Sequence, residues 1–137
     1  MTDLRKSRHE IAHAPRLPDS LVRFGGVVGA LLALLILYGT LSPQPPGPPM
    51  QGHADKLAHF GAFGALTLVL IAFSVMPVRV TVPLVVAYGG AIELVQPSFG
   101  RTAEWADFWA NNAGVAAGLL VGLALNRALR RRFARAR

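Results

Sequence analysis

Four long stretches with almost no charge take up most of this chain. Phe24 to Leu41 is eighteen residues without a charged side chain, and Phe60 to Val78 is nineteen. Val80 to Gln96 is seventeen with Glu93 as its only charge, and Phe108 to Asn126 is uncharged throughout. A helix rises about 1.5 Å per residue, so each stretch roughly crosses the ~30 Å hydrocarbon core of a bilayer. A soluble chain of 137 residues with four such helices would have little left to cover them. Composition points the same way: 53% of the residues are hydrophobic and 15% charged, against about 25% charged in a typical soluble domain. The sequence predicts an all-α polytopic membrane protein, a four-transmembrane-helix bundle. Its spans are placed at about 22–41, 57–76, 80–96 and 106–125.

The first span follows basic residues, as a signal peptide would. Its apolar run exceeds the roughly 7–15 residues expected, and no A-x-A-like site follows, so it reads as a retained helix. Lysine and arginine set the orientation. Arg5, Lys6, Arg8, Arg16 and Arg23 precede the first span, Arg79 lies between the second and third, and Arg127, Arg130, Arg131, Arg132, Arg135 and Arg137 follow the fourth. With both termini cytoplasmic, twelve of the fourteen basic residues are inside, and only Lys56 and Arg101 are outside, as the positive-inside rule requires. The net charge of +7 is then a topology signal, and no nucleic-acid partner is expected. Residues 1–20 read as a basic, mostly disordered cytoplasmic arm, 21–126 as the transmembrane domain and 127–137 as a basic cytoplasmic tail.

The connections are short. Pro43-Gln44-Pro45-Pro46-Gly47-Pro48-Pro49 is an extended external spacer, because each proline fixes φ and lacks a donor. Met76-Pro77-Val78-Arg79 forms an inner turn, and Gln96-Pro97-Ser98-Phe99-Gly100 breaks the third helix at the outer face. Cysteine is absent, which excludes disulfides, thiolate metal sites and cysteine nucleophiles.

The polar residues that a membrane should exclude carry the functional information. Asp55 and His59 are four apart at the outer start of span two and share a helix face. Glu93 and Gln96 share a face where span three ends outside. Asp107 and Asn111 do so where span four begins, just after Arg101 and Glu104. Alternating topology brings Asp55, His59, Glu93, Gln96, Arg101, Asp107 and Asn111 to one depth. An aspartate at a helix centre costs roughly 2.5–3.5 kcal/mol on insertion scales, so such residues usually face the bundle interior and mark function. His59, Glu93 and Asp107 are the candidate catalytic groups. Asp55, Lys56, Gln96, Arg101 and Asn111 are the candidate ligand-binding groups, with Gln96 and Asn111 also suited to interhelical hydrogen bonds. The structural alternative is a self-satisfied network, with Arg101 paired to Asp107 or Glu93 and His59 to Asp55; Lys56 and Glu104 would then be solvated interface charges.

Asp55, His59, Glu93 and Asp107 also have the donor types of a divalent-metal site. No sharply spaced motif such as H-x-x-x-H accompanies them, and Lys56 and Arg101 would compete for the carboxylates, so no metal ligand and no cofactor is assigned. Asn111, Gly114, Gly118 and Gly122 form one narrow face suited to close helix packing, with Gly61 and Gly64 in span two as counterparts. Such a face also permits a homodimer.

Asp55-Lys56-x-x-His59-Phe60, Glu93-x-x-Gln96 and Arg101-Thr102-x-Glu104-x-x-Asp107-x-x-x-Asn111-x-x-Gly114 together resemble the signature of the VanZ-like membrane proteins. Spacing to Gly114 favours Asn111 over Asn112 as the family amide. The founding member is associated with resistance to the glycopeptide teicoplanin, a property not transferred to this chain. The resemblance implies a bacterial cytoplasmic membrane and a role at the outer surface, where cell-wall precursors and lipid carriers are handled. Two classes of function follow. One is an enzyme or carrier-binding protein for a lipid-linked headgroup. There Lys56 and Arg101 would hold phosphate oxygens, and His59 or Glu93 would move a proton. The other is a non-enzymatic envelope protein whose polar cluster fixes helix register. Proton-coupled transport is a lesser third, because the polar groups sit at one end.

Overall fold

The computed structural model describes residues 16–42 and 53–135. Four helices are long and apolar enough to cross a membrane. The proline-rich stretch 43–49 and residues 1–15 lie outside the described residues.

Helix α1 (Asp19–Leu41) starts after Pro18 with Asp19 in its first turn and stops at Ser42, where Pro43 disfavours a further helical residue. Helix α2 (His53–Ala72) ends in a tight reversal. The Ser74 N–H donates to the Ile71 carbonyl at 3.1 Å, and the Val75 N–H to the Leu70 carbonyl at 3.0 Å. Ser74 takes the left-handed conformation, φ 55°, as a helix-terminating residue commonly does. This reversal ends α2 four residues before the expected 76, and the helix begins at His53, four residues before the expected 57. Helix α3 (Val78–Val95) follows Pro77 and passes into a 3-10 helix, Gln96–Phe99, closed by Gly100 at φ 72°. Helix α4 runs from Trp105 to Arg135. The segment expected as a tail from 127 therefore continues the helix as far as Arg135.

Helices α2 and α4 form the tightest pair, and they run parallel. A Cβ on Gly114 would strike the Phe60 carbonyl oxygen, and one on Gly118 the Gly64 carbonyl oxygen. One on Gly122 would stand 3.1 Å from the Leu68 carbonyl oxygen. The backbones touch along this seam because glycine leaves no side chain between them. Gly64 belongs to the seam, whereas Gly61 meets nothing within 4 Å. Because this face is used inside the chain, it is not a free surface for the homodimer suggested by the glycine pattern.

Phe63, fully buried, fills the junction with α3. Its ring stands 5.9 Å from that of Tyr88 and meets the bare Cα of Gly89. Helix α1 packs through Gly25 on Phe73 and Gly29 on Leu70. The Tyr88 hydroxyl ties it to α3 by donating to the Ala33 carbonyl at 2.5 Å. Leu31, Leu34, Leu35, Leu57, Leu84, Leu94 and Leu120 point outward. Exposed leucines on every helix are what a lipid-solvated bundle presents.

Candidate functional site

Polar groups hold both ends of the α2–α4 seam. At one end, Asn126 donates to the Ala72 carbonyl at 2.8 Å and to the Ser74 hydroxyl at 2.7 Å. Arg130 donates to the Asn126 side-chain oxygen at 2.7 Å and to the Ser74 hydroxyl at 3.0 Å. At the other end stand Asp55, Lys56, His59, Asp107 and Asn111. Asp107 and Asn126 are separated by about 28 Å along the helix, close to the thickness of a hydrocarbon core.

Helices α2 and α4 both start at this second end, with Asp55 and Asp107 in their first turns. The positive ends of two helix dipoles thus face two carboxylates, which offsets part of the cost of placing acids there. Lys56 Nζ lies 2.6 Å from Asp107 Oδ1, 2.6 Å from Glu104 Oε2 and 3.8 Å from Asp55 Oδ2. Asp107 is buried, and its Oδ1 has no aligned hydrogen bond despite that short ion pair. Glu104 is exposed, and the Lys56 ammonium beside it holds its carboxyl below the usual carboxylate range.

One turn deeper, His59 Nδ1 lies 3.0 Å from Asn111 Oδ1, both side chains buried. Glu93 reaches in from α3, and its Oε2 accepts the Glu104 backbone N–H at 3.4 Å. Asp55, His59 and Asp107 each offer one donor atom within 4.8 Å of the other two. Two buried atoms of this cluster lack a partner among the described residues, Glu93 Oε1 and Asn111 Nδ2, whereas Asp107 Oδ1 has the Lys56 ammonium. Such orphans are rare in native interiors and cost about 1–3 kcal/mol each.

Two candidate residues take other positions. Gln96 is buried but turns away to α1, donating to the Thr40 carbonyl at 3.1 Å; it staples helices and does not join the cluster. Arg101 caps the 3-10 turn, its backbone N–H donating to the Gln96 carbonyl at 3.2 Å. Its side chain forms no ion pair among the described residues, and Lys56 takes the place beside Asp107 that sequence reasoning offered to Arg101. The Asp55–His59 pair of the structural alternative gives way to His59–Asn111. Asn112 donates to the Phe108 carbonyl of its own helix at 2.7 Å, so Asn111 is the amide that crosses the seam. Glu104 is more than a solvated charge, since its side chain binds Lys56 and its backbone binds Glu93. Its position three residues before Asp107 was the available signal.

A mostly apolar cavity of ≈ 280 Å³ opens beside the cluster, lined by Gly90, Glu93, Leu94, Ala103, Glu104, Trp105 and Phe108. Trp105 and Trp109 stand exposed on the same end of α4, the usual place for interfacial aromatics. The family described as VanZ/LLP1 matches residues 36–126, more than half of the chain. This chain belongs to the VanZ/LLP1 family. The match takes in all of α2 and α3, the cluster and most of α4, so the parallel seam and its polar end lie inside the VanZ/LLP1 region. No curated protein and no solved structure matches the chain.

Proposed function

We propose that this VanZ/LLP1-family membrane protein binds the headgroup of a lipid-linked, phosphate-bearing envelope precursor at the outer face of a bacterial cytoplasmic membrane. One observation carries the reading: the cavity between α3 and α4 is apolar along Leu94, Trp105 and Phe108, and the Lys56 ammonium reaches Glu104 in its wall at 2.6 Å. An amphiphile with its chain against Leu94 and Phe108 would present its headgroup to Lys56. Orientation supports the same placement, because Arg79 and the arginines from Arg127 to Arg135 fall at the opposite end of the helices, the cytoplasmic one by the positive-inside rule. Within the reading, Lys56 exchanges a carboxylate for a headgroup oxygen, and His59 or Glu93 holds the proton.

The test is native mass spectrometry of the purified protein with a polyprenyl phosphate and with the matching polyprenol. Retention of the phosphate form alone, lost when Ala103→Trp fills the cavity, is the expected result. Equal retention of both lipids, or none, removes the reading.

A scaffold role has its own support, since Lys56–Asp107 and His59–Asn111 both bridge α2 and α4 and so fix their register. It predicts no selective lipid retention. Transport has less support. Between His59 or Glu93 and the opposite end, Tyr88 is the only titratable side chain within the spans among the described residues.

A further inference from the structure

The cluster that would receive a phosphate is itself rich in negative charge. Asp55, Glu104 and Asp107 share a single ammonium, that of Lys56, and Glu93 adds a fourth carboxylate alongside. One positive charge against three carboxylates, of which Asp107 is buried, leaves an excess that is penalised at the buried side unless more positive charge arrives.

The donor atoms for such a charge are already grouped. Asp55 and His59 stand four apart on one face of α2, and Asp107 faces them from the first turn of α4. Their donor atoms lie within 4.8 Å of one another. Donors around a single ion at about 2.1 Å stand roughly 3.0–4.2 Å apart, so small side-chain rotations close the set. His59 is oriented for ligation. Its Nδ1 lies 3.0 Å from Asn111 Oδ1, a second contact of the kind that orients metal-bound histidines. Asp107 is buried, and its carboxylate is held there by the Lys56 ammonium at 2.6 Å. An imidazole with two carboxylates suits a first-row transition cation better than calcium or magnesium.

We propose that Asp55, His59 and Asp107 form a binding site for a divalent transition cation of the manganese or zinc class, with Lys56 as the internal cation that it displaces toward Glu104. Glu104 is exposed and already bonded to Lys56, so the lysine has a partner to retreat to. The proposal reverses the expectation drawn from sequence, where competition by Lys56 and Arg101 argued against a metal. Arg101 makes no ion pair among the described residues, and Lys56 is partly exposed and held by ion pairs that can be exchanged. The purpose of the site rests on the headgroup reading: a bound dication would supply the positive charge through which a carboxylate-rich cluster can hold phosphate oxygens.

The experiment uses the full chain in detergent without added lipid, titrated with Mn²⁺ and followed by the loss of the free-ion electron paramagnetic resonance signal, with Zn²⁺ as competitor. One site per chain is expected, showing nitrogen modulation in spin-echo spectra that vanishes in His59→Gln. Asn111→Leu should weaken binding by about 10–100-fold, the usual cost of losing a group that orients a ligand. Lys56→Gln should tighten it by about tenfold, the scale of a charge-assisted contact removed. Asp107→Asn should abolish it; if that variant does not fold, Asp55→Asn, altering a half-buried group, serves in its place. Absence of saturable binding of either ion, unchanged affinity in the aspartate variant, or weaker binding in Lys56→Gln would overturn the proposal. Because no lipid is present, cation binding stands or falls separately from lipid retention.

Discussion

His59 and Asn111 meet across the seam between the second and fourth helices at 3.0 Å, immediately before the point where Gly114 lies against the Phe60 backbone. A polar contact and a steric one therefore sit side by side on the same helix face, and substitution can separate them.

His59→Gln retains a donor of similar reach toward Asn111, whereas Gly114→Leu forces a side chain into the Phe60 carbonyl. The leucine variant is expected to lose at least about 1–3 kcal/mol, the usual range for overpacking, with a clear fall in Tm in detergent. His59→Gln should melt near the wild type while losing ligand retention. If the two melt equally early and retention tracks only the folded fraction, His59 is a packing residue and nothing more.

The seam also sorts glycines from one another. Gly61→Ala adds a methyl group where nothing lies within 4 Å, and alanine favours a helix interior by roughly 0.5–1 kcal/mol. Its Tm should hold or rise. Gly118→Ala drives the same methyl group into the Gly64 carbonyl and should lower Tm. Equal melting of the two variants would mean that α2 and α4 do not touch as described.

Acid should loosen the Lys56–Glu104 link in a defined window. The Glu104 carboxyl is held below its ordinary value near 4.5 by Lys56. A depressed carboxylate contributes stability that is fully present above its unfolded value and is lost as pH falls through the folded one. The Tm difference between wild type and Glu104→Gln should therefore be constant from neutral pH down to about 5. Below that it should shrink as Glu104 protonates. A difference that grows on acidification would contradict the pairing.

Topology follows from arginine placement. Single cysteines at residues 42–55 and 97–104 should react with an impermeant thiol reagent in intact cells, and those at 77–79 and at both termini only after permeabilisation. External labelling near Arg132 would invert the orientation and move the cluster to the cytoplasmic face.

The helices were legible in the sequence because a bilayer demands runs of apolar residues, and such runs are visible without knowledge of their neighbours. The face carrying Asn111, Gly114, Gly118 and Gly122 was legible for the same reason, as a periodicity within one helix. Partners were not. Periodicity places Asp107 on a face but does not say whether Lys56 or Arg101 reaches it, since that depends on the rotation of α2 against α4 and on the 3-10 turn after Val95. Gln96 shares depth with Glu93, yet α3 gives way to that turn at Gln96, and its amide goes to α1. The early end of α2 depended on Ser74 adopting a left-handed conformation, which a serine rarely signals. The Asn126–Ser74–Arg130 contacts at the other end were not legible, because no motif or periodicity links Ser74 to the fourth helix.

Whether lipid enters beside Glu93 is tested most directly by a photo-crosslinking residue at Leu94, which lines the cavity, with Leu35 on α1 as an exposed control. After irradiation in living cells, the mass of the adduct identifies the neighbour. The account predicts a phosphate-bearing, lipid-linked species at Leu94 that is absent at Leu35 and is lost when Ala103→Trp fills the cavity. Identical bulk phospholipid adducts at both positions, unaffected by that substitution, would contradict it.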